Sequence, residues 1–399
     1  MLETIRSSKR HTCSTGVYLD HGATTRLDER LLEKILHHFI KSWGNPSSRD
    51  HALGWDAAEA VEEARGHVAE LINASPNEII FTSSATESIN CALRGLVATL
   101  SAKQQALTGA TEHEAVLETC RLIGTTTALR IDILPVDRLG RVNPDAVECK
   151  TGETAFVSLM LANNEIGTIH PVRRFAEAAH AAEAVFFSDV TQAAGKIPID
   201  VHELGLDLAA FSAHKLYGPK GVGALFIRSG EPEIKLESLI VGGGHEGGLR
   251  AGTLNVPGIV GFGEACRIAK LEMAEDSARI GKLRDKLENA LLAELSDIWI
   301  NGHRENRLSN TSNIGFRGVD ARTLIRDMHD IAVSTKSACS SGDPSPSHVL
   351  KALGLTDDEA YSCIRFSLGR FTTPEEIDYT INKVIASVHK LRRSMSVAT

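Results

Sequence analysis

No stretch of this chain approaches the roughly 20 consecutive apolar residues that a membrane-spanning helix needs, which excludes that architecture. The N-terminal MLETIRSSKRHTCST is basic and rich in Ser and Thr but has no apolar core, so it is not a secretory signal. It reads as a frayed terminus, with a transit-peptide remnant as the alternative. Positive charge is outnumbered, with 43 Lys and Arg against 51 Asp and Glu. The formal net charge is -8, which argues against general attraction to nucleic acid or to an anionic membrane. The seven cysteines (Cys13, Cys91, Cys120, Cys149, Cys266, Cys339 and Cys363) contain no C-x-x-C pair and are odd in number. That argues against a disulfide framework and a structural metal, and for a reducing, cytoplasmic location. Internal repeats, low-complexity segments and long linkers are missing as well. What remains, 399 residues with 42% apolar and 24% charged, is the composition of a globular protein with room for two domains.

Between about Val17 and Gly261 short apolar runs alternate with helical spacing. Ile79–Thr82, Phe156–Leu161, Val185–Ser188, Leu208–Phe211 and Gly223–Ile227 read as buried strands. Ala57–Leu71, Glu87–Thr99, Glu114–Ile123 and Val172–Ala182 read as helices. The alternation predicts an α/β fold, a mostly parallel sheet with helices on both faces. Ligands of such sheets lie beyond the carboxyl ends of the strands, where Ser84–Thr86, Asn163–Asn164, Asp189 and Lys215 fall. After a Gly-rich loop (Gly242–Gly252) comes a long charged helix, Gly263–Leu295. Strands then follow at Ser312–Phe316, Ala332–Ser334 and Ile364–Leu368, with a closing helix at Pro374–Leu391. The expected division is an arm (1-16) packing on a small domain, a large domain (17-263) and a smaller α+β domain (264-399).

Two segments carry the chemistry. FSAHKLYGPKG (211–221) places Lys215 in a turn directly after an apolar strand, and FFSDVTQ (186–192) runs a second strand into Asp189. A lysine at a strand end is placed to form a Schiff base with an aldehyde. A carboxylate at a neighbouring strand end is placed to keep a pyridine nitrogen protonated. Together they suit pyridoxal 5'-phosphate (PLP). Each residue alone has an ordinary alternative: a solvated lysine or a helix N-cap for the acid.

FSAHKLYGPKGVGAL, LANNEIG, TEHEAVLETC, SATES and KSACSS together resemble the cysteine desulfurases of the NifS/IscS type, PLP enzymes of aminotransferase class V, over about Val17 to Leu391. The resemblance implies the fold type I PLP-transferase architecture, with a sheet of the seven-stranded type in the large domain. It implies that Lys215 carries the Schiff base and takes the substrate α-proton, that Gln192 hydrogen-bonds the ring 3-hydroxyl, and that His113 stacks on the ring and carries protons. Ala85 and Thr86 at a helix N-terminus, with Ser212 and His214, would hold the phosphate. Arg365, beside Asn164, would hold the substrate carboxylate through a planar fork, with Arg370 as the structural alternative. Thr253, in GGGHEGGLRAGT, would be lent to the phosphate of a partner subunit, which implies a homodimer. Cys339, on a Ser/Gly loop, would be the nucleophile that receives sulfur. The sequence departs from the family pattern at Ser84 and Ala213 for glycine, Val190 for alanine, Gly247 for arginine and Lys336 for glycine. Each of the two glycine replacements is expected to restrict its loop. Lys336 is expected to cost flexibility where the cysteine loop begins and to lower the Cys339 thiol pKa.

The implied reaction converts L-cysteine to L-alanine and leaves a persulfide on Cys339 for an acceptor protein, whether of iron–sulfur assembly, tRNA thiolation or DNA phosphorothioation. Two alternatives stand beside it. One is another class V enzyme, a selenocysteine lyase or small-amino-acid transaminase. The other is a non-catalytic sulfur carrier on the same fold.

Overall fold

The computed structural model describes residues 16–100, 103–147, 149, 151–336 and 345–396. The strands are β1 (Val17–Tyr18), β2 (Ile79–Thr82), β3 (Gln105–Gly109), β4 (Arg130–Leu134), β5 (Thr154–Ser158), β6 (Val185–Asp189), β7 (Leu208–Ser212), β8 (Gly223–Ile227), β9 (Ile298–Asn301), β10 (Thr311–Phe316), β11 (Ile331–Ala332) and β12 (Cys363–Ser367). The helices are α1 (Leu32–Ile40), α2 (Ala52–Leu71), α3 (Ala85–Ala98), α4 (Glu114–Thr126), α5 (Val172–Ala181), α6 (Val256–Glu294), α7 (Ala321–Asp327), α8 (His348–Ala352), α9 (Asp357–Tyr361) and α10 (Pro374–Ser396).

Seven strands form one sheet in the order β2-β8-β7-β6-β5-β3-β4. Only β8 runs against its neighbours, so the others deliver their carboxyl ends to one edge. Alternate side chains separate to the two faces. Phe186, Ala209 and Phe211 join a core with α2, α5 and the first half of α6. Phe187, Leu208 and Ala210 join the opposite core with α3 and α4. The expected strands and helices are all present here. Two further strands, β3 and β4, are less visible in sequence. The first is a five-residue run ending in glycine; the second is an edge strand with only Leu134 fully buried.

The long helix begins earlier than its charge pattern suggested. Asn255 caps it through Gly258 N, and Pro257 sits in the first turn, where a missing N–H costs nothing. Residues Val256–Ala269 of α6 pack in the large-sheet core. Ile280, Leu283, Leu287 and Leu291 pack in a second core with α10 and the antiparallel sheet β12-β10-β9. The division expected at 263/264 therefore cuts one continuous helix. β1 pairs in parallel with β11, and Val17 and Leu19 belong to the second core, so residue 17 begins the smaller unit. The 1-16 arm lies outside the described residues except for Gly16.

α2 and α6 approach closely at Gly263, where an added Cβ would lie 2.5 Å from Ala64 Cα. Alanine is a better helix former than glycine by roughly 1 kcal/mol, but a backbone clash outweighs that gain. Gly263→Ala is expected to destabilise the protein by about 1–3 kcal/mol, read as a lower midpoint in urea unfolding. A raised midpoint would contradict this packing.

Candidate active site

At the carboxyl edge of the large sheet a cavity is lined by Lys215, His113, Asp189, Gln192, Ala85, Thr86, Ser212, His214, Asn164 and Arg365, with Gly22, Ala23, Met160, Ala162 and Thr191. Each expected residue arrives by a separate route. Asp189 ends β6, and its Oδ1 accepts from Thr191 N at 2.9 Å, which fixes the carboxylate. Lys215 sits in a short 3-10 turn after β7, and its Nζ donates to Gly22 O and Ala23 O, both at 2.7 Å. Gln192 Nε2 donates to Gly22 O at 3.0 Å. His113 caps α4, its Nδ1 accepting from Ala115 N.

The N-terminus of α3 faces one end of the cavity. Ser84 caps it, and Ala85 N donates to Ser212 Oγ at 2.7 Å, so the hydroxyl proton is free to point elsewhere. His214 lies against Thr24 Oγ1 at 3.1 Å. At the other end is Arg365, on β12 of the smaller unit and 1% exposed. Its Nη1 donates to Asn164 O at 2.9 Å and its Nη2 to Asp20 Oδ1 at 2.8 Å. Its Nε and the Asn164 Oδ1 have no partner among the described residues. Buried polar atoms of this kind point to a polar ligand. Arg370 does not reach the cavity, because it is bound to Asp28 (3.0 Å) and Asp276 (2.8 Å) and lies over the Tyr217 ring.

Burial sets the local charge. His21 and His214 are both pushed down to about 4, first by desolvation; Lys215 and Lys196 add to the effect on His214. Both rings are neutral at pH 7. Glu112, beside His113, is pushed up to about 8 by burial, with the Asp189 charge adding, although Met160 N donates to its Oε1 at 2.5 Å. That bond ties the turn after β3 to the turn after β5.

Thr253 lies outside this cavity and is exposed. Its loop is fastened at Glu246, which takes Arg65 in a bidentate pair (2.8 and 2.9 Å) and Phe81 N at 2.6 Å, and at Arg250, which pairs with Glu87 at 2.8 Å. Sequence reading missed both fasteners, whose partners lie far off in the chain. Gly247 has φ +63°, a conformation glycine adopts freely. Ser84 is extended (φ -175°), so the expected restriction there does not arise. Ala213 is fully buried in the lysine turn, and Val190 is buried too. Lys336 is 5% exposed, and its Nζ donates to Ser345 O at 3.2 Å. Cys339 lies outside the described residues, as does Cys13. Of the other cysteines, Cys91, Cys120, Cys266 and Cys363 are buried and Cys149 is partly so.

Comparison with known proteins agrees with this geometry. A profile of the family described as aminotransferase class-V matches residues 17–380. The chain is 46% identical to the cysteine desulfurase IscS of Serratia proteamaculans over 380 residues, 94% of this chain and 93% of that one. The chain belongs to the class V aminotransferase family, in its NifS/IscS-type cysteine desulfurase branch. A solved NifS-like protein superposes with a TM-score of 0.85 at 38% identity, covering 93% of this chain and 98% of that one. A structure titled SspA in complex with cysteine gives 0.77 at 31% identity, covering 90% and 100%. The family's cofactor is PLP, and the donor set fits it. A fixed carboxylate, a strand-end lysine and a helix N-terminus with two hydroxyl or imidazole donors line one cavity. Among the described residues no helix is long and apolar enough to cross a membrane.

Glu112 yields a pH test. Its folded value of about 8 lies above its ordinary 4.5, so between those values the unfolded chain loses this proton first and stability falls as pH rises. Keeping the acid protonated at pH 7 costs up to about 3 kcal/mol. Glu112→Gln is expected to raise stability at pH 7 and flatten its fall between pH 5 and 8, measured by urea unfolding across pH. An unchanged pH profile would contradict a neutral Glu112.

Proposed function

We infer that the protein is a PLP-dependent cysteine desulfurase that converts L-cysteine to L-alanine and passes the sulfur on as a persulfide. The observation that carries this reading is the convergence of Lys215, Asp189, His113 and Arg365 on one cavity, in a chain 46% identical to a cysteine desulfurase.

PLP supplies an electron sink for the charge that develops at the substrate α-carbon. The protein's residues do the rest. Arg365 holds the substrate carboxylate with its free Nε, beside Asn164. Asp189, its carboxylate fixed by Thr191 N, would pair with the ring nitrogen. Lys215 takes the α-proton, and the carbonyls of Gly22 and Ala23 steady its amine. Ala85, Thr86, Ser212 and His214 would supply the phosphate donors, and Gln192 and His113 would hold the ring. The thiolate of Cys339 attacks the substrate sulfur, so the C–S bond breaks as an S–S bond forms. The carbon takes a proton to become alanine. Burial pushes Cys91 to about 11 and Cys120 and Cys363 to about 12, which makes them poor nucleophiles at neutral pH and favours Cys339.

The active form is a homodimer in which Thr253 serves the partner's phosphate site. Large apolar side chains support this: Phe39 is 61% exposed, Trp43 66% and Val241 83%. The last lies on the loop segment that leads to Thr253. A persulfide acceptor protein is the remaining partner.

The wild-type protein with PLP and L-cysteine is expected to give alanine and a persulfide mapped to Cys339. Cys339→Ser is expected to lose both, and Lys215→Ala to lose covalent PLP after borohydride reduction. Alanine from Cys339→Ser at the wild-type rate would instead indicate a transaminase or lyase in which Cys339 has no part. Trp43→Glu is expected to shift the protein from dimer to monomer in sedimentation velocity. A wild-type monomer with full activity would contradict the shared site.

A further inference from the structure

One face of the smaller sheet turns away from its own core and carries a polar row. Ile314, Phe316, Ile364 and Phe366 belong to the second core, so the residues that alternate with them point the other way. The register sets Asn313 of β10 opposite Asn301 of β9 on one side and opposite Arg365 of β12 on the other. These three residues are at most 5% exposed. The proposed mechanism uses Arg365 and gives no role to Asn313.

The row meets the loop that carries Asn164. Arg365 Nη1 donates to Asn164 O at 2.9 Å, and Asn313 Nδ2 donates to the next carbonyl, Glu165 O, at 3.3 Å. Asn313 is oriented for this, because its Oδ1 accepts from Asn301 Nδ2 at 2.7 Å and its amide nitrogen must then face the loop. The Glu165 side chain is fastened too. It is 1% exposed, where a carboxyl group needs hydrogen-bond partners. Its Oε2 accepts from Ser347 Oγ at 2.5 Å, and the same hydroxyl caps α8 by accepting from Leu350 N. From the large unit, Asn163 Oδ1 accepts from Glu165 N at 2.8 Å and from Ile166 N at 3.0 Å. Glu165 is thus held at its N–H, its carbonyl and its side chain. The adjoining Asn164 lines the PLP cavity.

We propose that Asn313 and Ser347 are positioning residues for the substrate carboxylate, acting through Glu165 to hold Asn164 at a fixed distance from Arg365. Asn164 and Arg365 stand in different units, so their spacing depends on what fastens the loop to the smaller sheet and to α8. Two neighbouring side chains of one row take two successive carbonyls, which fixes the direction of the loop as well as its distance. Without Asn313, Arg365 alone of the row would hold the loop, and the guanidinium that takes the substrate would also have to anchor its own neighbour. The inference rests on the assignment of Arg365 as the carboxylate-binding residue.

The test compares wild type, Asn313→Leu, Ser347→Ala and Ser347→Thr, each loaded with PLP. Spectral titration reads the binding of L-cysteine and of cysteamine, which has the same amine and thiol but no carboxylate. Leucine keeps the bulk of Asn313 and donates nothing. Alanine removes the Ser347 hydroxyl, and threonine keeps it both as donor to Glu165 and as cap of α8. L-cysteine binding is expected to weaken about three- to tenfold in Asn313→Leu and in Ser347→Ala, the range of one hydrogen bond. Cysteamine binding and the PLP band are expected to stay as in wild type, and Ser347→Thr to bind L-cysteine as wild type does. General loosening of the site would weaken both ligands alike, and that result would overturn the proposal. So would unchanged L-cysteine binding in either Asn313→Leu or Ser347→Ala. The two substitutions lie on different elements, so one stands as a test if the other fails to fold. Arg365→Gln separates this from the underlying assignment. If it weakens L-cysteine binding while Asn313→Leu and Ser347→Ala do not, only the positioning role falls; if it leaves L-cysteine binding unchanged, the assignment of Arg365 itself falls.

Discussion

A guanidinium shut away from water must find partners for its N–H groups, and Arg365 finds them in the other half of the molecule. It stands on β12 in the smaller sheet, yet its Nη1 reaches Asn164 O in a loop after β5, and its Nη2 reaches Asp20 in the turn after β1. The packing is tight enough that a Cβ on Gly22 would come within 3.2 Å of Arg365 Cζ. Gly22 is also one of the two residues whose carbonyls hold Lys215. The proposed carboxylate fork and the proposed Schiff-base lysine are thus spaced by one short turn that belongs to neither sheet. Displacing that turn would move both groups at once.

The long helix α6 gives this arrangement its stiffness. Its first half is part of the large-sheet core and its second half part of the smaller one, so the two units share a single rod without a linker. Asp276, midway along, binds Arg370, and Arg370 also binds Asp28. Ser277 on the next position holds the carbonyl of Lys196. The helix therefore reaches the rear of the lysine turn while β12 reaches the front of the cavity, and the site is gripped from both sides.

Part of the candidate site was legible in sequence because Asp189 ends one short apolar strand and Lys215 follows another. The runs Val185–Ser188 and Leu208–Phe211 locate strand ends, and a parallel sheet must bring such ends to one edge, which is how Asp189 and Lys215 come together. The resemblance to the desulfurases added His113, Gln192 and Arg365, all of which line the cavity. The carbonyls of Gly22 and Ala23, the Arg65–Glu246 fastener and the buried Glu112 were not legible. Their partners lie tens to nearly two hundred residues away, and no local periodicity records such contacts. The expected division at 263/264 falls inside α6, because the charged pattern that marks the helix in sequence begins after its apolar first turns, which pack in the large-sheet core.

The central claim is that Arg365 carries the substrate carboxylate across from the smaller unit to a PLP site built by the larger one. Its most direct test is a spectral titration of the PLP-loaded protein with L-cysteine and with L-cysteine methyl ester, for wild type and Arg365→Gln. The account predicts that wild type prefers the free acid and that Arg365→Gln weakens L-cysteine binding at least tenfold, about 1.4 kcal/mol, while losing the preference. Equal binding of acid and ester by wild type, or an unchanged L-cysteine affinity in Arg365→Gln, would contradict it.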